Sequence, residues 1–175
     1  MFRTIGVFLV INCICVFSAS KSSLLRTYVC HWTDQAAPIY YLKGANTEPL
    51  YRLQKEIGDD SIVLVDEKNE KIIGRTSGLS FKIFDMKTQK WISGRIQEQI
   101  RLFGYKLNIV WGGMKMTMTG GLARTFYDKN NKILAKRDGY RFQKRFDLEI
   151  WSDRIPDLVY IMVLAAHAKI DERST

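Results

Sequence analysis

The stretch from Leu158 to Ala166 is apolar on every side, and few folds can accommodate such a segment. A helix that is hydrophobic all round belongs inside a protein core or a membrane. Pro156 suits a first helical turn and Ser152 or Asp153 stands upstream as a cap, so a helix is expected over residues 156–170. It offers thirteen residues from Leu158 to Ile170, interrupted by His167 and Lys169. The ~20 apolar residues that cross hydrocarbon are not there. The rest of the chain therefore has to enclose the helix, and an antiparallel sheet curled into a barrel can do so with the inward side chains of its strands. Burying four or five large side chains there, at ~2 kcal/mol each, contributes on the order of 10 kcal/mol before conformational entropy is subtracted.

Three segments supply the strands for such a sheet. Ile62 to Arg75, Phe81 to Arg95 and Arg124 to Arg137 share one layout: an apolar run ending in Asp (Asp66, Asp85, Asp128), a short polar turn, Lys, an apolar pair, small residues and a basic residue. Asp at a strand end accepts hydrogen bonds from turn amides, and apolar flanks of this kind form strands. Each segment reads as a β-hairpin. Elsewhere Leu107, Ile109 and Trp111 alternate with polar neighbours, as do Met114, Met116 and Met118. From Arg141 to Trp151 the apolar face is Phe142, Phe146, Leu148 and Ile150, broken only by Lys144. This period of two belongs to half-buried antiparallel strands. The pairs Gly112-Gly113 and Gly120-Gly121 bracket the methionine strand as turn glycines.

The start of the chain belongs to a different process. Arg3, the apolar run Ile5 to Phe17, and Ser18-Ala19-Ser20 have the layout of a secretory signal peptide, residues 1–20, with cleavage expected after Ser20 and a secreted product. The full chain has 175 residues, 27 Lys and Arg against 18 Asp and Glu, and a formal charge of +9. Loss of Arg3 lowers that charge by one, and loss of Cys13 and Cys15 leaves Cys30 alone. A domain without a disulfide must bury enough apolar surface unaided, which is feasible at ~150 residues. No Asn-x-Ser/Thr sequon occurs, so the net charge has to supply solubility. With 46% apolar and 26% charged residues the chain has globular composition.

Hairpins of the form apolar-Asp-turn-Lys-apolar-apolar, closed by the terminal apolar helix Asp157 to Asp171, resemble the tubby C-terminal-like superfamily, which includes the LURP-one-related proteins and the phospholipid scramblases. The resemblance covers Leu50 to Asp171. It implies a mainly β fold: a closed antiparallel β-barrel of about twelve strands around a hydrophobic C-terminal helix. Residues 21–49 then form a partly irregular N-terminal extension to a barrel over 50–171. In tubby proteins the domain binds membrane phosphoinositides through basic side chains, and in scramblases it is tied to lipid movement. The chain lacks the cysteine-rich acylation stretch and the acidic calcium-binding segment of scramblases.

Catalytic material is scarce. Cys30 and His31 are adjacent, so on a strand they face opposite sides and make no dyad. His167 reads as a core or helix-end histidine. Two histidines and no CxxC leave no zinc site, and Asp128 with Asn130 and Asn131 reads as a turn. No enzyme activity, metal or cofactor is expected. The basic surface is the functional lead: Lys106 and Lys115 point away from the apolar faces of their strands, and Arg137, Arg141 and Arg145 follow closely in sequence. If their strands are neighbours, these five form a cationic face for phosphate or sulfate. The expected function is a secreted, non-catalytic binding or effector protein whose partner is an anionic membrane lipid or a sulfated glycan. Nucleic acid is disfavoured by the export signal and the absence of a binding motif. The alternative is a lipocalin-like carrier of small apolar ligands, which requires the helix to pack outside the barrel and leave the interior open.

Overall fold

The structure is a computed structural model that describes residues 23–32, 38–43, 48–56, 58, 61–100, 105–120, 123–138 and 145–173, without the side chains of residues 32, 100 and 169–173. The signal segment 1–20, Arg141 and Lys144 lie outside the described residues. Twelve strands run in chain order: β1 Arg26–Trp32, β2 Pro38–Leu42, β3 Tyr51–Lys55, β4 Ile62–Asp66, β5 Lys71–Ser77, β6 Ser80–Asp85, β7 Lys90–Ile100, β8 Tyr105–Trp111, β9 Met114–Gly120, β10 Arg124–Tyr127, β11 Ile133–Asp138 and β12 Arg145–Ile150. Each pairs antiparallel with its neighbour in sequence, and β1 closes the barrel on β12. The helix α1 spans Asp157–Arg173.

The three repeated segments are the hairpins β4–β5, β6–β7 and β10–β11. Their aspartates do what such residues do at strand ends. The Asp66 carboxylate accepts from the Lys68 amide (3.0 Å) and from Asn69 Nδ2 (2.9 Å). Asp85 accepts from the Lys87 amide (3.0 Å) and Thr88 Oγ1 (2.7 Å), and Asp128 from the amides of Asn130 (2.8 Å) and Lys132 (2.9 Å). The residue before each hairpin lysine takes the left-handed conformation: Glu70, Gln89 and Asn131 have φ of 51°, 54° and 60°.

The helix lies inside the barrel, where Val159 to Ala166 are 0–5% exposed. Its first turn is held to β1. The Asp157 carboxylate accepts from Arg26 Nε (2.5 Å), Arg26 Nη2 (2.6 Å) and the Tyr28 hydroxyl (2.6 Å). An anion at a helix N-terminus is also favoured by the helix dipole. Further along, Tyr160 meets Phe126 edge-on at 5.0 Å, and His167 stacks on Tyr105 at 4.3 Å. Gly74 lets the helix approach the wall, because a Cβ there would stand 2.9 Å from Met162 Sδ.

The N-terminal boundary differs from the sequence expectation. Residues 26–32 and 38–42, assigned there to an irregular extension, are two staves of the barrel, which starts at Arg26 rather than Leu50. Without β1, both β12 and β2 would carry an unpaired edge, which is unfavourable for an apolar sheet. Tyr28, Cys30 and Tyr40 are buried in the common core as a result.

Candidate anion-binding groove

The five basic residues expected to form one face do not converge. Arg137 is buried, 7% exposed, with its guanidinium 4.1 Å from the Phe146 ring centroid. It shares the inward parity of Ala135 on β11, and its register partner on β10 is Arg124, also buried. Burial, then the charge of Arg124, pulls the Arg137 pKa below its ordinary value. Its place on an outer cationic face is therefore corrected: the strand alternation turns it inward. Arg145 is exposed on β12, three strands away from the Lys115 strand β9. Lys106 and Lys115 do face outward, from adjacent strands.

A different set of cations is brought together by β5, β6 and β7. On the outer face Arg75 stands opposite Lys82 and Lys82 opposite Ser93, while two residues along Ser77 stands opposite Ser80 and Ser80 opposite Arg95. Directly opposed side chains on one face are about 5 Å apart and diagonal ones about 7–8 Å. These six residues line a groove of about 570 Å³. Like charges directly opposed, such as Arg75 and Lys82, repel. Two local contacts relieve this in part. Arg75 Nη2 donates to Glu56 Oε1 at 2.7 Å, and Lys82 Nζ lies 5.3 Å from the Trp91 ring centroid. Among the described residues Arg95 has no ion-pair partner, and it is exposed. The second row continues outward from Arg95 through Val110 to Lys115, so one of the residues singled out from sequence borders this groove.

Chemically, the groove presents guanidinium, ammonium and three hydroxyl groups on rigid strands. Guanidinium groups match the planar, bidentate geometry of phosphate and sulfate, and hydroxyls fill the remaining acceptor positions. The signal for it was present in the repeats, since Arg75 and Arg95 are the basic residues that end the first two hairpin segments. What their alternation did not disclose was that the register sets them on either side of Lys82.

Nucleophilic chemistry has little to work with in the described part. Cys30 is 0% exposed and burial pushes its thiol up to about 12. A neutral, enclosed thiol is neither a nucleophile nor a metal ligand. His31 is exposed on the opposite face of β1, as the strand alternation requires. Among the described residues no cluster of His, Cys, Asp and Glu is arranged to hold a metal ion, and no helix is long and apolar enough to cross a membrane.

Comparison with known proteins yields a fold. A protein from Arabidopsis thaliana, solved by X-ray crystallography, superposes with a TM-score of 0.58 at 10% sequence identity, over 87% of this chain and 94% of that one. A likeness at that identity establishes the shared architecture alone. No family model and no curated protein matches the chain.

Proposed function

We propose that this chain is a secreted, non-catalytic binding protein on a tubby-like barrel, which recognises phosphate- or sulfate-bearing partners through the groove of Arg75, Lys82 and Arg95. The observation that carries the reading is the convergence of these three cations and three serine hydroxyls on one rigid outer face. The tubby-like assignment draws on the Asp-turn-Lys hairpins and the enclosed terminal helix, and the secreted location on Met1 to Ser20. A lipocalin-like carrier needs an open interior, and the helix residues Val159 to Ala166 occupy that space. The test is titration with heparin fragments and an inositol polyphosphate at two salt concentrations. Binding should weaken with salt. It should fall at least tenfold in the double variant Lys82→Gln, Arg95→Gln, at about 1.4 kcal/mol per tenfold, and hold in Arg145→Gln, which lies elsewhere on the barrel. Salt-insensitive binding, or none, would remove the proposal.

A further inference from the structure

The groove opens at one end onto an apolar tip. On the same outer face, one step beyond the row of Arg75, Lys82 and Ser93, Phe84 stands opposite Trp91, and their rings meet edge-on at 5.5 Å. Trp91 is 44% exposed, and Met86 at the β6–β7 turn is 53% exposed. The bulge between β4 and β5 adds a third member: Ile73 and Gly74 are both buried, so Ile72 emerges on the outside, 43% exposed. Large apolar side chains exposed together next to cations mark a contact surface, whereas singly scattered ones do not.

The surrounding charge identifies the partner. Lys71, Lys82, Lys87 and Lys90 flank the tip and all are exposed. The acids near it are Asp85 and Glu70. The Asp85 carboxylate is occupied within its own turn by the Lys87 amide and Thr88, contacts that hold it below the usual carboxylate range. Those contacts also fix the turn, so the tip presents Met86 without an ordering cost. Side chains two residues apart along a strand are separated by about 7 Å. The apolar row therefore projects about that far past the Lys82 row. Amphipathic elements that bind membrane surfaces bury their apolar side roughly 5–10 Å into the headgroup boundary while their cations meet lipid phosphates. A tryptophan is also at home at that depth.

We infer that the β6–β7 hairpin inserts Met86 and Trp91, with Ile72 beside them, into an anionic phospholipid bilayer while Lys82 and Arg95 bind lipid phosphates. The inference rests on the proposed anion groove and names its partner as a lipid surface rather than a soluble glycan. The test uses the full secreted chain, phosphatidylcholine vesicles with and without phosphatidylserine, brominated acyl chains as quenchers of tryptophan emission, and heparin fragments as the soluble polyanion. Vesicles containing phosphatidylserine should bind and be quenched. Trp91→Phe should bind but lose the quenching, and Met86→Ser should lose about tenfold in vesicle affinity while keeping its heparin affinity. Near-UV circular dichroism verifies that both variants fold. Binding to heparin and vesicles without quenching, or a Met86→Ser variant that loses self-association instead of vesicle affinity, overturns the insertion and leaves the groove standing. Failure to bind either polyanion removes both readings.

Discussion

Asp157 joins the first turn of the helix to the first strand, receiving both nitrogens of Arg26 and the Tyr28 hydroxyl on one carboxylate that is 8% exposed. Removing its charge leaves Arg26 and Tyr28 without their acceptor, so Asp157→Asn should cost about 2 kcal/mol, discounted because Arg26 is partly solvated. A lowered urea midpoint with an unchanged slope would verify this. Cys30 provides a pH signature at the same scale. Its thiol rises from an ordinary 9.0 to about 12 in the folded protein, with burial as the main cause, against a hydrogen bond with Tyr40 and the charge of Arg137. The folded state therefore holds that proton more tightly than the unfolded chain. The contribution to stability is complete below the unfolded value and is lost as pH rises from 9.0 towards about 12. Tyr28 and Tyr40, also raised above 10.0 mainly by burial, act in the same direction. Urea midpoints should fall between about pH 8 and about pH 10.5, and Cys30 should react with thiol reagents only as the domain unfolds.

Among the elements, the hairpins carry the most local information. Glu70 holds a left-handed backbone without the side chain that suits it, since only Gly, and to a lesser degree Asn, adopts that region at low cost. Glu70→Gly should stabilise the domain by up to about 1 kcal/mol, and Asn131→Gly should be close to neutral. Thermal melting of the two variants side by side reads this difference. In β7 the requirement is steric. A Cβ at Gly94 would run into the Phe81 ring directly opposite it, so Gly94→Ala should destabilise by roughly 1–3 kcal/mol through displaced packing.

For the whole molecule, the helix and the barrel depend on each other. The inward side chains of the sheet form one cluster with Val159, Tyr160, Ile161, Met162, Val163 and Leu164. A barrel emptied of the helix would expose that lining, and a helix outside the barrel would expose six large apolar residues at ~2 kcal/mol each. A chain ending at Asp153 should therefore have no cooperative thermal transition and no near-UV signal. A truncated chain that kept both would show that the helix is not the core. The same closure makes β1 indispensable, because it is the stave that joins the two ends of the sheet.

The hairpins, the outward direction of Lys106 and Lys115, the inward faces of β8 and β12 and the enclosure of the helix were all legible in the residues, because each follows from a local period or a local turn. The place of Arg26–Trp32 and Pro38–Leu42 was not, since a short strand is recognised by what it pairs with, and β1 pairs with a strand more than a hundred residues away. The faces of single cations had the same limit. Arg137 follows Ala135 into the interior only once the sheet's inside is defined, and Lys82 meets Arg75 and Arg95 only through cross-strand register. Periodicity along the chain thus determined what the elements are and that they must close around an apolar helix. Register across the sheet, a property of contacts distant in sequence, decided which charges share a face and where the groove lies.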